Sequence, residues 1–87
     1  MAYNTREDTR KTLADMAFEQ WQELAYRNCS TDIMVNDLLE RIAGDKYSDY
    51  ADLDDPILTI INRLNIEELC DFISGCRTID RADRGQS

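Results

Sequence analysis

From Thr5 to Tyr26 no glycine or proline interrupts a chain whose apolar residues recur every three or four positions: Leu13, Ala17, Trp21 and Leu24, flanked by Ala14, Phe18 and Ala25. Side chains at that spacing share one face of a helix with 3.6 residues per turn, so the segment is predicted to be helical throughout. The first two turns, TREDTRKT, hold no apolar residue and are expected to project or fray, supported by exposed pairs such as Glu7 with Lys11.

Three further helices can be read. The cluster NCSTD offers Ser30 or Thr31 as the cap of a second helix through Ala43, with Ile33, Val35, Leu38, Leu39 and Ile42 on a broad apolar face beside Met34. Gly44 stands where a residue of positive φ ends a helix. Asp55 followed by Pro56 is a cap with proline at the first helical position, and Ile57, Ile60, Ile61 and Leu64 line that third helix. Asn65 with Glu68 three residues on is a capping box for the fourth, whose stripe is Ile66, Leu69, Cys70 and Ile73, with Gly75 as its end. No stretch alternates with the period-two pattern of a strand. The fold class is therefore all-α: a small single-domain bundle of about four helices, arranged as two helical hairpins joined by an acidic connector. Residues 1–76 make the domain; residues 77–87 are a C-terminal tail that either extends the last helix or stays flexible.

Chemistry is constrained by what is missing. The 87 residues contain no histidine, and Cys29, Cys70 and Cys76 lack the CxxC spacing of zinc and redox sites. The reading is a small core residue at Cys70 and reduced thiols at the other two. No Gly-rich phosphate loop is present, so neither an enzyme nor a cofactor is expected. The polar start, MAYNTRED, is unlike a secretory signal, and no apolar run is long enough to span a bilayer, which leads to the expectation of a cytoplasmic protein. Trp21, Met16 and Met34 are expected to fill the core.

Charge is uneven. Residues 1–28 carry four bases and five acids (−1), residues 29–76 three bases and eleven acids (−8), and residues 77–87 three bases and two acids (+1), which together give the net charge of −8. An acidic middle repels nucleic acid and anionic lipid, and favours a basic protein partner.

The centre of that charge is DKYSDYADLDDP, with Asp45, Asp49, Asp52, Asp54 and Asp55 against Lys46 alone. It does not fit a calcium loop: counted from Asp45, the sixth position is Tyr50 rather than glycine and the twelfth is Pro56 rather than glutamate. As a helical turn or two over Ser48–Leu53, its backbone would set Asp45, Asp49 and Asp52 in one stripe and Tyr47, Tyr50 and Leu53 toward the other side. The carboxylates of Asp45, Asp49, Asp52, Asp54 and Asp55 then become candidates for a partner's arginines, which accept carboxylate as readily as phosphate, with Tyr47 and Tyr50 as anchors. Asp32, Asp37, Glu40, Glu67, Glu68 and Asp71 would extend the negative surface.

In size and charge the chain resembles the small acidic proteins by which bacteriophages block host nucleases, restriction systems or CRISPR complexes. That likeness implies an inhibitor or regulator that covers a basic nucleic-acid-binding surface of another protein. The alternative is a self-associating structural or assembly adaptor, a homodimer that pairs through the apolar face of the second helix.

Overall fold

The computed structural model describes residues 5–50 and 54–85, without the side chains of Thr5, Asp49 and Tyr50. Among the described residues five helices follow one another: α1 (Thr5–Ala25), α2 (Cys29–Ala43), α3 (Asp45–Tyr50), α4 (Pro56–Asn62) and α5 (Ile66–Gly85). Among the described residues there is no strand. The all-α reading holds, and the acidic connector itself supplies the fifth helix.

Helices α1, α2 and α5 pack against one another in all three pairings, while α4 lies on α1 and α3 joins α2 to α4. The two ends of α5 show its direction. Its first turn meets α3 through Lys46 and Glu68, and its last turns meet the α1–α2 corner through Arg27, Asp80 and Asp83. So α5 runs antiparallel to α2 and parallel to α1. The shared core is Ala14, Ala17 and Leu24 from α1, Val35, Leu39 and Ala43 from α2, Ile60 and Ile61 from α4, and Leu69, Phe72, Ile73, Cys76 and Ile79 from α5, closed at one end by Leu64.

Local signals account for most boundaries. Asn28, not Ser30 or Thr31, caps α2: its side chain accepts from the Thr31 N–H at 2.9 Å. Thr31 is instead 1 % exposed, and its hydroxyl donates to the Leu24 carbonyl, satisfying an acceptor that the end of α1 leaves open. Gly44 ends α2 at φ 59°, a conformation that any side chain would strain. The capping box of α5 is formed in both directions, Glu68 N–H to Asn65 Oδ1 at 2.8 Å and Asn65 N–H to Glu68 Oε1 at 2.9 Å. Arg6 to Thr9 are exposed, as their polarity predicts. At Arg10 that end is tied down, because the guanidinium donates to the Asn62 carbonyl at the end of α4 and pairs with Glu7 rather than leaving Glu7 to Lys11.

Gly75 does not end the last helix. It lies inside α5, packed against α2, where a Cβ would stand 2.5 Å from Leu38 Cδ2. A glycine that permits close helix packing and one that terminates a helix look alike in a sequence. Beyond it the helix continues through Ile79, which is buried, and is held by Arg27, whose guanidinium reaches Glu23, Asp80 and Asp83. The residues 77–85 are thus a docked helical extension.

Cys76, not Cys70, is the core cysteine: Cys76 is buried and Cys70 exposed. The buried line on α5 runs Leu69, Phe72, Ile73, Cys76 and Ile79. Cys70 sits 100° round the helix from Leu69, outside that line. Trp21 is half-buried, stacks on Phe18 at 5.8 Å between ring centroids, and donates its indole N–H to Asn36 Oδ1 at 3.0 Å. Met16 and Met34 are exposed and fill no core gap.

Two measurements test this packing. Gly75→Ala should destabilise the protein by about 1 kcal/mol, since overpacking outweighs the gain in helix propensity. In a Leu38→Ala background the same change should become neutral or stabilising, and additive effects in denaturant unfolding would show that the two residues do not press on each other. The second concerns pH. Arg84 and Arg27, both bonded to Asp80, hold its carboxyl below the ordinary value of 3.8. A depressed carboxylate pKa adds stability above the unfolded-state value that is lost as pH falls through the native one. Asp80→Asn should therefore lower the melting temperature at neutral pH, and its difference from the parent should shrink below about pH 4.

Candidate protein-binding surface

The acidic connector begins as helix directly after Gly44, whose carbonyl accepts from the Tyr47 N–H at 3.1 Å. Helix α3 therefore covers Asp45–Tyr50, earlier in the chain than the Ser48–Leu53 turn that the pattern suggests. Its single cation is directed inward. Lys46 Nζ donates to the Arg63 carbonyl, just past the end of α4, and pairs with Glu68 Oε1, both at 3.2 Å. An ammonium at a helix C-terminus offsets the partial negative charge of the terminal carbonyls, so Lys46 fastens α3 to the α4–α5 corner. Tyr47 is half-buried against the core, and Asp45, on the other side of α3, is exposed.

Asp54 and Asp55 are also exposed. Asp55 occupies the cap position of α4, yet its side chain makes no capping hydrogen bond. Asp45, Asp54 and Asp55 are thus exposed carboxylates with no ion pair among the described residues. The side chains of Asp49 and Tyr50, and the whole of Asp52, lie outside the described residues.

The wider acidic set divides in two. Asp37 pairs with Arg41 at 2.9 Å, Asp32 accepts from Asn36 at 2.7 Å, and Glu68 is held by Lys46 and its own cap. Those three are engaged within the chain. Glu40 in the last turn of α2, Glu67 in the first turn of α5 and Asp71 one turn later are exposed and have no such partner. They flank the same end as Asp45, because α2 finishes and α5 starts there.

Two features escaped the sequence reading. Arg77, Arg81 and Arg84 follow at four- and three-residue steps, which sets them along one outer line of α5. The signal is plain once the helix passes Gly75, and invisible if it stops there. The other is a groove of about 290 Å³ between α2 and α5, lined by Met34, Asp37, Leu38, Arg41, Gly75, Thr78 and Ile79.

Among the described residues no group of three acids or cysteines is placed to hold a metal ion, and no helix is long and apolar enough to cross a membrane. Comparison with protein-family models, with curated proteins and with solved structures finds no match to this chain.

Burial pushes the Cys76 thiol up to about 12, so the reactive thiolate is scarce at neutral pH. Under native conditions a thiol reagent should label two cysteines, Cys29 and Cys70, quickly, and Cys76 only after unfolding. Rapid labelling of all three would contradict the register assigned to α5.

Proposed function

We propose that this chain is a protein-binding module whose carboxylate-bearing end covers a basic surface of another protein, of the kind that holds nucleic acid. The observation that supports it is the set of exposed carboxylates Asp45, Asp54 and Asp55 on and beside the acidic connector, with Glu40, Glu67 and Asp71 exposed where α2 ends and α5 starts, while the one connector cation is turned inward to Glu68. Arginine recognises carboxylate and phosphate by the same forked pair of hydrogen bonds, so a groove built for phosphates is a suitable receptor. Preorganisation favours the same use. The cap at Asn65, the anchor at Lys46 and the buried edge of Tyr47 hold the surrounding backbone before any partner arrives, which lowers the ordering cost of association. Inhibition or regulation follows from occupancy, since a surface covered by this protein cannot also hold nucleic acid.

The test begins with affinity capture from the native host and identification by mass spectrometry, which should return a nucleic-acid-binding protein. Nucleic acid should compete for the captured partner. Changing Asp45, Asp54 and Asp55 together to Asn preserves side-chain size and should weaken binding roughly tenfold or more, at about 0.5–1 kcal/mol for each charge removed. Association should slow as salt rises. Affinity indifferent both to the triple change and to salt would sink the proposal.

A further inference from the structure

We infer that the seam between α1 and α2, on the side of Trp21, binds a cationic segment of a partner protein that also carries apolar side chains. The first ground is aromatic exposure. Trp21 stacks on Phe18 at 5.8 Å and meets Tyr26 edge-on at 6.1 Å, between ring centroids. Phe18 and Trp21 are only half-buried, and Tyr26 is 76 % exposed. Across the seam the Trp21 indole donates to Asn36 of α2. Ile33, 68 % exposed, stands one turn before Asn36 on the same side of that helix. Because α1 and α2 run antiparallel, that turn lies alongside the turn after Trp21, where Tyr26 is. Three rings and an isoleucine thus share one open surface, of a kind that marks an interaction site.

The second ground is fixed geometry. Asn36, which accepts from Trp21, donates its own amide to the Asp32 backbone carbonyl at 2.9 Å and to the Asp32 carboxylate at 2.7 Å. A chain of hydrogen bonds therefore runs from the indole to a carboxylate, and the ring needs no ordering when a partner arrives.

Charge selects the occupant. Asp32 ends that chain, Glu40 stands one turn after Asn36 and so alongside Phe18, and Asp15 stands one turn before Phe18. Among the described residues no cation pairs with any of these three. The neighbouring cations are turned elsewhere, Arg27 to Asp80 and Asp83 on α5 and Arg41 to Asp37, while Lys11 lies two turns before Phe18. An aromatic surface rimmed by carboxylates attracts ammonium and guanidinium groups both through its ring faces and through its acids. Two copies of such a face repel each other, and a nucleic acid is repelled as well, which leaves a basic polypeptide. Asp45, Asp54 and Asp55 are no part of this face, and Glu40 alone is common to both surfaces. The inference therefore does not rest on the function proposed above.

Titration of the full chain with a helical peptide of lysine and leucine, apolar along one side, tests the inference. Trp21 is the single tryptophan, so its emission reports this face directly. That emission should move to shorter wavelength and saturate. Cys29, two turns before Asn36 on the same side of α2, should lose its reactivity toward a thiol reagent in the complex, while Cys70 on α5 keeps its own. Tyr26→Ser and Ile33→Ser should each weaken binding roughly fivefold or more without altering the circular dichroism spectrum, because both side chains are exposed. Changing Asp45, Asp54 and Asp55 together to Asn should cost less than either of these; the reverse order would place the peptide on the connector carboxylates and overturn the inference. So would equal binding of a peptide of glutamate and leucine, or a dimer in sedimentation that Ile33→Ser dissociates, which would assign the face to a second copy.

Discussion

The buried line of α5 from Leu69 to Ile79 is apolar surface on which both α1 and α2 depend. An 87-residue chain hides only about 60–65 % of its unfolded surface, so it has no room for two separate cores. All three long helices must share one. That requirement explains why α5 lies beside both members of the α1–α2 pair, and why its contact with α2 is close enough to exclude a Cβ at position 75. It also makes the continuity of α5 through Gly75 a structural necessity: Cys76 and Ile79 belong to the core, and a helix ending at Gly75 would leave both without a place.

Polar interactions then position what the core joins. Arg27 gathers Glu23, Asp80 and Asp83 at one end of the bundle, and Lys46 joins α3 to Glu68 and the Arg63 carbonyl at the other. Partly exposed ion pairs of this kind are worth little individually. Their effect here is directional, since each ties a helix terminus to a neighbour. They also determine which charges remain available. At the Arg27 end, aspartates are neutralised and Arg77 and Arg81 are left outward. At the Lys46 end, the cation is taken up and Asp45 is left outward. A chain with a net charge of −8 thereby becomes a molecule with two unlike ends.

Much of the fold was legible because it rests on local rules. The helices from Thr5, after Pro56 and after Asn65, the glycine at the end of α2 and the capping box of Asn65 and Glu68 each follow from a few adjacent residues. The acidic connector was legible as a charged surface with Tyr47 turned toward the body, and its carboxylates were the candidates that the structure leaves exposed at Asp45, Asp54 and Asp55. Four of the misreadings share one cause. Gly75 as a stop, Cys70 as a core residue, and Met16 and Met34 as core-fillers were all judged from neighbours in sequence, whereas each depends on what lies across from the helix.

The sequence alone determined that this chain is helical, where most of its helices start, and that its middle is acidic, because periodicity, caps and charge are properties of adjacent residues. The tertiary structure alone decided which face of α5 is buried, that Lys46 turns inward while Asp45 turns out, and that Met34 stays open beside a groove. Those outcomes depend on distances between residues far apart in the chain, such as Leu38 to Gly75 and Lys46 to Glu68, and a pattern of spacings carries no such distances.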